Sequence, residues 1–331
     1  MSNLETEPAE VVCDEVPETR GVEILEPRDV PLGGPRAMHV RRTLPQRARS
    51  LIGAWCFADS YGGDDVPEPG DGRTMNVPPH PHTGLQTVSW LYAGEIEHRD
   101  SVGSRELIRP GQVNLMTAGA GIQHSEESTP GSTRPHGVQL WTALPDAHRH
   151  VAPFFEHHVP APIAVGDATL RVFVGSLHGA SSTVTAFSPL VAAQLDLPPG
   201  GRVDLDVAPS FEHGLLVDSG APTLDGVTVP RHHLAFAAAG PSTLAIAAGD
   251  QPVRALLIGG VPLGESIVMW WNFVGRSHEE IVAFRERWQR DVVQGVDRGG
   301  AFGWIDGWDP GTPLAAPELP NVRLRARDQG R

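Results

Sequence analysis

Two short segments of the chain carry side chains that bind transition metals, and in each segment one residue separates the two candidates. His80 and His82 lie in PHPHTGLQTVSW, and His124 and Glu126 follow a glycine-containing turn, AGAG, further along the chain. Residues i and i+2 of a strand point to the same face of a sheet. Two such pairs on facing strands would therefore bring three imidazoles and one carboxylate to a single point.

This set of ligands indicates which ions the site would hold. Imidazole nitrogens and a carboxylate suit Fe, Mn, Ni, Cu or Zn better than Ca or Mg. Four protein ligands on an ion that favours six leave two positions open, which is typical of a catalytic rather than a structural site. Pro79 and Pro81 restrict the backbone around His80 and so reduce the entropy lost when the ligands are fixed.

Each of these residues also has a simpler interpretation. His124 and Glu126 alone could stand on a solvent-facing turn, and His80 alone could cap a strand. Among the 15 histidines of the chain a single His-x-His pattern is unsurprising, and a second one occurs at His148 and His150. That second pattern lies in DAHRHVAPFFEHH, a polar segment broken by proline, which we interpret as a solvated loop that includes His157 and His158.

The residues near the two pairs receive weaker assignments. Continuing the two-residue period from His82 places Gln86, Val88 and Trp90 on the inward face, unless a bulge intervenes. Gln86 would then either orient a ligand or a bound water, or fill the core, and Trp90 would pack the core. His98, in EHRDS, either supports a metal ligand from behind or is a surface histidine at the end of a strand.

The composition excludes several classes of function. The 331 residues include 40 acidic and 26 basic side chains, a net charge of −14, and every basic residue is arginine. Without lysine the chain can form neither a Schiff base nor a P-loop, and its acidity argues against direct nucleic-acid binding. Two cysteines cannot build a disulfide framework or a cysteine zinc site, and Cys56 is expected to be a small buried side chain.

The sequence carries no sign of export or of a membrane span. The first residues, MSNLETEPAE, are acidic and lack the apolar segment of a signal peptide. No stretch approaches the roughly 18 apolar residues that a membrane-spanning helix needs. We therefore expect a cytoplasmic protein without membrane contact.

Short strand-like runs separated by turns predict an all-β fold. The chain contains 37 Gly and 31 Pro, which break helices and favour turns. The runs fall into two groups of similar size, one between residues 85 and 141 and one, with smaller side chains, between 170 and 258. One helix is predicted at 277–291, where Ser277 and Glu280 form a capping box and a face is shared by Ile281, Phe284 and Trp288.

The predicted organisation has four parts. They are an N-terminal arm that pairs with a domain edge (1–35), a metal-binding domain (36–155), a degenerate second domain (156–275), and the helix with a tail draped over a domain (276–331).

Three segments in this order closely resemble the pirin family of the cupin superfamily. They are PHPHTGLQTVSWLYAGEIEHRDSVGS, RPGQVNLMTAGAGIQHSEES and HGVQLWTALP. The resemblance implies two stacked jelly-roll barrels and one metal ion, usually iron, in the first barrel. Carried over by motif, the ligands are His80, His82, His124 and Glu126. Gln86 stands where many cupins have a glutamate ligand, so Glu126 should substitute for it, and no metal is predicted in the second barrel.

The resemblance also implies a function. Several pirin-like proteins resemble quercetin 2,3-dioxygenase, which opens a flavonol ring with dioxygen. Glu126 would then be both a ligand and the general base that removes the flavonol hydroxyl proton. The expected cofactor is iron(II), with manganese, nickel, copper or zinc as alternatives, and the expected partners are a small aromatic substrate and dioxygen. Alternatives are an iron-containing regulator that binds a protein partner and senses redox state, and a ligand-binding cupin with an incidental metal.

Overall fold

The computed structural model describes residues 21–31, 39–63, 75–132, 134–308 and 312–329. Within these residues the chain forms two barrels, each built from a seven-stranded and a four-stranded antiparallel sheet. The predicted all-β fold of two stacked barrels with a short C-terminal helix is therefore confirmed. None of the helices in the described part of the chain is long and apolar enough to cross a membrane.

The first barrel carries both predicted ligand pairs. Its seven-stranded sheet has the order β12 (Phe154–His158), β9 (Val113–Thr117), β6 (Leu85–Ala93), β11 (His136–Ala143), β4 (Trp55–Tyr61), β3 (His39–Leu44), β2 (Arg28–Pro31). Its four-stranded sheet has the order β5 (Asn76–His82), β10 (Ile122–Ser128), β7 (Ile96–Asp100), β8 (Arg105–Ile108).

The second barrel repeats this arrangement. Its seven-stranded sheet has the order β1 (Val22–Leu25), β22 (Leu234–Ala237), β19 (Glu212–Ser219), β24 (Val253–Gly260), β17 (Leu190–Leu197), β14 (Ala168–Val174), β13 (Ile163–Val165). Its four-stranded sheet has the order β18 (Arg202–Asp206), β23 (Thr243–Ala247), β20 (Thr223–Leu224), β21 (Val227–Thr228). Two small hairpins are β15 (Ser176–Leu177) with β16 (Ala180–Ser181), and β25 (Val268–Trp270) with β26 (Phe273–Gly275).

The two barrels are linked by strands that leave one unit and pair in the other. β1, from the predicted N-terminal arm, pairs with β22 of the second barrel, whereas β2 of the same arm pairs with β3 of the first. Residues 1–20 and 32–35 of that arm lie outside the described residues. β12 likewise extends the first barrel's sheet to His158, past the predicted boundary at residue 155. The chain therefore passes from the second barrel to the first between β1 and β2, and from the first to the second after β12.

The prediction of a solvated loop is confirmed for His148 and His150, which are exposed on a turn, but is wrong for His157 and His158. Both residues lie on β12, where they pair with Asn114 and Val113 of β9. The segment's two phenylalanines pair with the same strand, so the edge of the sheet extends through a sequence that looks too polar for a strand.

The sheet between the barrels is buried on both faces. The strands β6, β9 and β11 are buried along almost their whole length, which is typical of strands covered on both sides. One face lines the first barrel, and the other packs on the second barrel. At that interface Trp90 stacks on Phe173 with ring centroids 4.3 Å apart, and its Nε1 donates to Gln194 Oε1 at 2.8 Å. The prediction that Trp90 packs the core is confirmed, and this core lies between the barrels.

The C-terminal segment begins with the predicted helix. α1 (His278–Trp288) starts after Ser277, whose hydroxyl accepts from the Glu280 amide, and a π-helical turn follows it at Gln289–Val293. Ile281 and Trp288 are fully buried, as the spacing predicts. The following tail lies against the first barrel, where the Leu314 amide donates to the Pro79 carbonyl and Gly303 accepts from Gln123.

Candidate metal site

The register of β5 and β10 brings the two predicted ligand pairs together. The strands pair antiparallel with His124 opposite His80. A bulge between these positions and the next pair sets Glu126 opposite Val77, which shifts the carboxylate relative to the imidazoles. Both pairs thus point into the first barrel, and all four side chains are at most 1% exposed.

The structure arranges these residues in two overlapping groups. The ligand atoms of His80, His82 and His124 lie within 4.8 Å of one another. Nε2 of His82 and Nε2 of His124 are 3.1 Å apart, close enough for both to face one ion. The second group joins His124 to Glu126 and His98, so His124 is common to both groups.

Burial and hydrogen bonding prepare the imidazoles for a metal ion. Burial lowers the pKa of His80 to about 4 and lowers the pKa of His82 and of His124 well below the ordinary value. The rings are therefore uncharged at neutral pH. Nδ1 of His80 donates to the Pro78 carbonyl at 2.8 Å, which leaves the Nε2 lone pair available. That Nε2 atom is buried and makes no hydrogen bond to any described residue.

His98 lies behind the candidate ligands rather than at the surface. The side chain is 2% exposed, and Nδ1 lies 3.3 Å from Nδ1 of His124. Nε2 lies 3.0 Å from the Asp100 carboxylate, whose other oxygen accepts from the amides of Val102 and Ser104. The tight turn after β7 therefore fixes Asp100, and Asp100 fixes His98. Of the two sequence interpretations, the supporting one agrees with this geometry.

Glu126 lies among polar side chains that come from the facing sheet. Ser89 Oγ is 3.5 Å from Glu126 Oε1 and donates to Gln139 Oε1 at 2.9 Å. Burial and the nearby charge of Glu126 raise the pKa of Tyr61 well above its ordinary value, so this phenol stays protonated. The carboxylate thus has a hydroxyl group and a neutral phenol near it on the inner wall.

The prediction that Gln86, Val88 and Trp90 lie on the inward face of β6 is wrong. Gln86 bonds with the Thr117 hydroxyl, the Thr142 hydroxyl and the Thr185 carbonyl, and Val88 and Trp90 belong to the core between the barrels. The link between β5 and β6 contains Gly84 at φ +67°, a tight turn that breaks the two-residue alternation counted from His82. Ser89 is therefore the residue of β6 near Glu126, and sequence reasoning missed it.

Cys56 is fully buried, and burial raises the pKa of its thiol to about 12. Its role as a small core side chain agrees with the sequence expectation. The neighbouring wall of the site is aromatic, since Trp141 stacks on Phe57 at 3.9 Å and meets the His82 ring edge-on at 5.1 Å.

Two barrels of this topology define a two-domain cupin. Within the described residues, the groups of His, Asp or Glu side chains that could hold a metal lie in the first barrel. The chain belongs to the pirin family. Residues 37–142 match the Pirin family model, and residues 192–293 match that of the Pirin C-terminal cupin domain.

Comparison with individual proteins agrees with this family. The chain is 41% identical over 294 residues to "Putative quercetin 2,3-dioxygenase PA1205" of Pseudomonas aeruginosa, covering 88% of this chain and 89% of that protein. The crystal structure of quercetin 2,3-dioxygenase from Acinetobacter baumannii superposes with a TM-score of 0.83 at 35% identity, covering 92% and 97% of the two chains. The bacterial pirin YhhW from Escherichia coli, in complex with nickel(II), shares the fold at 18% identity and a TM-score of 0.57, over 73% and 100%.

Proposed function

We propose that this protein is a metal-dependent dioxygenase that opens the ring of quercetin or a similar flavonol. The observation that carries the proposal is the convergence of three buried, uncharged imidazoles beside a carboxylate in the first barrel. The relatives named for quercetin 2,3-dioxygenase support the choice of substrate class.

His80, His82, His124 and Glu126 would hold one divalent ion, for which we propose iron(II), with manganese, nickel, copper or zinc as alternatives. The residues fit such an ion, because the His80 Nε2 atom is buried without a partner among the described residues and the donor set combines nitrogen with carboxylate oxygen. When bound, the ion would act as a Lewis acid and redox centre for the substrate and dioxygen.

Glu126 would act as the general base. Its carboxylate would accept the proton of the flavonol hydroxyl, and the electron pair of the broken O–H bond would stay on the flavonol oxygen. Ser89, 3.5 Å away, would give the carboxylate a nearby hydroxyl dipole. Buried Trp141 and Phe57 beside His82 would exclude water from the reacting substrate.

The proposal is tested by oxygen uptake with quercetin, using protein loaded separately with each of the five candidate ions. Glu126→Gln keeps the size of the side chain but removes the base, so turnover should fall by about 10²- to 10⁴-fold. Glu127→Gln is the matched control, since that side chain is next on β10 and points to the opposite face. The metal content of each protein is measured in parallel to separate loss of the base from loss of the ion.

Turnover by Glu126→Gln at the rate of the Glu127→Gln control would remove the role of Glu126 as a base. The absence of oxygen uptake with every flavonol and every ion would reject the dioxygenase. The alternative regulator with a protein partner would then be tested by its stoichiometric capture of that partner.

A further inference from the structure

The second barrel has buried hydrocarbon side chains on the strands that correspond to those with the candidate ligands in the first. The sheet orders make β18 the counterpart of β5 and β23 the counterpart of β10. On these two strands of the second barrel Leu205 pairs with Leu244, and both leucines are fully buried. Ile246, two residues along β23 from Leu244, is 1% exposed. This barrel therefore keeps the architecture of the site without its donors.

A cavity of about 240 Å³ nevertheless remains at the corresponding end of the second barrel. Part of its wall is the 207–211 segment, which links β18 to β19 as the Thr83–Gly84 turn links β5 to β6. Its walls are mainly apolar and include Leu177, Val191, Val207 and Phe211. The cavity thus lies beside the link of the second barrel that corresponds to the link next to His82 in the first.

His213 is one of the residues that line this cavity. The side chain is 2% exposed, and its ring nitrogens make no hydrogen bond within the described part of the chain. Burial lowers the pKa of His213 to about 4, so the ring is neutral and offers one donor and one acceptor. The ring nitrogens remain accessible from the cavity, so a bound molecule would supply a hydrogen-bond partner.

Gly259 makes room for this imidazole. It pairs with His213 across β19 and β24, and a Cβ atom at Gly259 would lie 2.8 Å from Cδ2 of His213. A side chain there would force the ring to move. The backbone is therefore compatible with a histidine in this position only because glycine stands opposite.

The rim of the cavity restricts the charge of a ligand and adds a hydrogen-bond donor. The Asp206 amide donates to Nε2 of His178 at 3.0 Å, so the proton of the neutral His178 ring is on Nδ1. The carboxylate of Asp206 lines the same cavity and would repel an anion.

Size separates the candidate ligands. An apolar cavity of roughly 150 Å³ holds benzene, whereas drug-sized ligands occupy roughly 300 Å³ or more. A cavity of about 240 Å³ therefore fits one substituted aromatic ring and is too small to enclose a whole flavonol of three rings. We propose that the second barrel binds an uncharged single-ring phenol, with its ring against Phe211 and its hydroxyl hydrogen-bonded to His213. This site does not depend on the chemistry proposed for the first barrel.

Saturation-transfer NMR with phenol on the full-length, metal-loaded protein tests the proposal. Phenol should bind to the wild type, and toluene and benzoate should bind more weakly, because toluene lacks the hydroxyl and benzoate is charged. His213→Leu should weaken phenol binding by about tenfold, the value of one hydrogen bond. Ala208→Trp, on the exposed rim, should block binding by filling the mouth.

His233→Leu is the matched control, because His233 is a half-buried histidine of the same barrel whose Nδ1 already bonds to the Arg231 carbonyl. It should bind phenol like the wild type. The melting temperature of His213→Leu shows whether the variant is folded. Failure of the wild type to bind phenol, or binding that survives Ala208→Trp, would overturn the proposal. If His213→Leu fails to fold, Ala208→Trp alone decides.

Discussion

Nδ1 of His98 lies 3.3 Å from Nδ1 of His124, which places a side chain outside the predicted ligand set directly behind a candidate ligand. The Asp100 carboxylate can only accept a hydrogen bond, so Nε2 of His98 carries a proton. A neutral His98 then accepts through Nδ1 from Nδ1–H of His124. This arrangement leaves the Nε2 lone pair of His124 available to an ion in the candidate site.

Replacing His98 by alanine should weaken metal binding by about 10- to 100-fold, because His124 loses the group that fixes its tautomer and orientation. Competition between the protein and a chelator of known affinity measures the effect. His233→Ala serves as the control, since His233 lies in the second barrel. Equal affinities of His98→Ala and wild type would show that His98 only fills space.

The stability of the protein should depend on the protonation of His213. Its folded pKa of about 4 lies below the value of about 6.5 in an unfolded chain. Between these values the unfolded chain binds a proton that the folded chain does not, so the free energy of unfolding falls as the pH falls. The loss should be about 1.4 kcal/mol for each pH unit.

Urea unfolding of wild type and His213→Leu at about pH 7 and about pH 5 measures this dependence. The variant should lose less stability than the wild type over this range. Parallel curves for the two proteins would mean that His213 titrates normally.

Removing one partner of the buried ion pair between Arg42 and Asp59 should strongly destabilise the first barrel. Nε and Nη2 of Arg42 each donate to one Asp59 oxygen at 2.8 Å, and the two side chains are 3% and 0% exposed. Asp59→Ala leaves a buried guanidinium without its carboxylate and should cost about 3 to 5 kcal/mol in unfolding free energy. Chemical denaturation measures the loss.

Replacing both partners, as Arg42→Met with Asp59→Leu, should be far less harmful than Asp59→Ala alone. Glu279→Ala, which breaks an exposed pair with Arg323, should leave the unfolding midpoint unchanged. A double variant as unstable as the single one would mean that the pair itself, and not the orphaned charge, stabilises the barrel.

Gly53 should be irreplaceable at the contact between the barrels. It adopts φ +56°, and a Cβ atom would lie 2.7 Å from the Gly260 Cα atom of the second barrel. Gly53→Ala should therefore destabilise the protein by at least about 2 kcal/mol. Thermal unfolding measures the loss. Gly249→Ala should leave the stability unchanged, because no atom lies within 4 Å of a Cβ atom at that position. Equal melting temperatures for the two variants would show that the barrels can separate slightly at this point.

The sequence predicted the ligand pairs because their spacing is a local property of a strand. His80 and His82 share a face wherever that strand lies, and so do His124 and Glu126. The helix at the C-terminus was equally predictable, since Ser277 caps it through the Glu280 amide three residues away.

The alternation of inward and outward side chains along β5 could not be extended across the turn into β6. Counting from His82 predicts Gln86 on the inner wall, but the left-handed backbone of Gly84 breaks the count, and Ser89 lies beside Glu126 instead. The backbone conformation of this one glycine, which the sequence does not reveal, decides which alternate residues of β6 face the site.

The types and spacing of the residues thus determined by themselves the fold class, the same-face spacing of the candidate ligand pairs and the capped helix. Only the tertiary structure decided that His98 lies against His124, that β1 and β12 pair across the expected domain limits, and that His213 faces a cavity. The physical reason is that each of these depends on strand pairing and packing between residues far apart in the chain. Such contacts are set by register and burial, which local propensity does not specify.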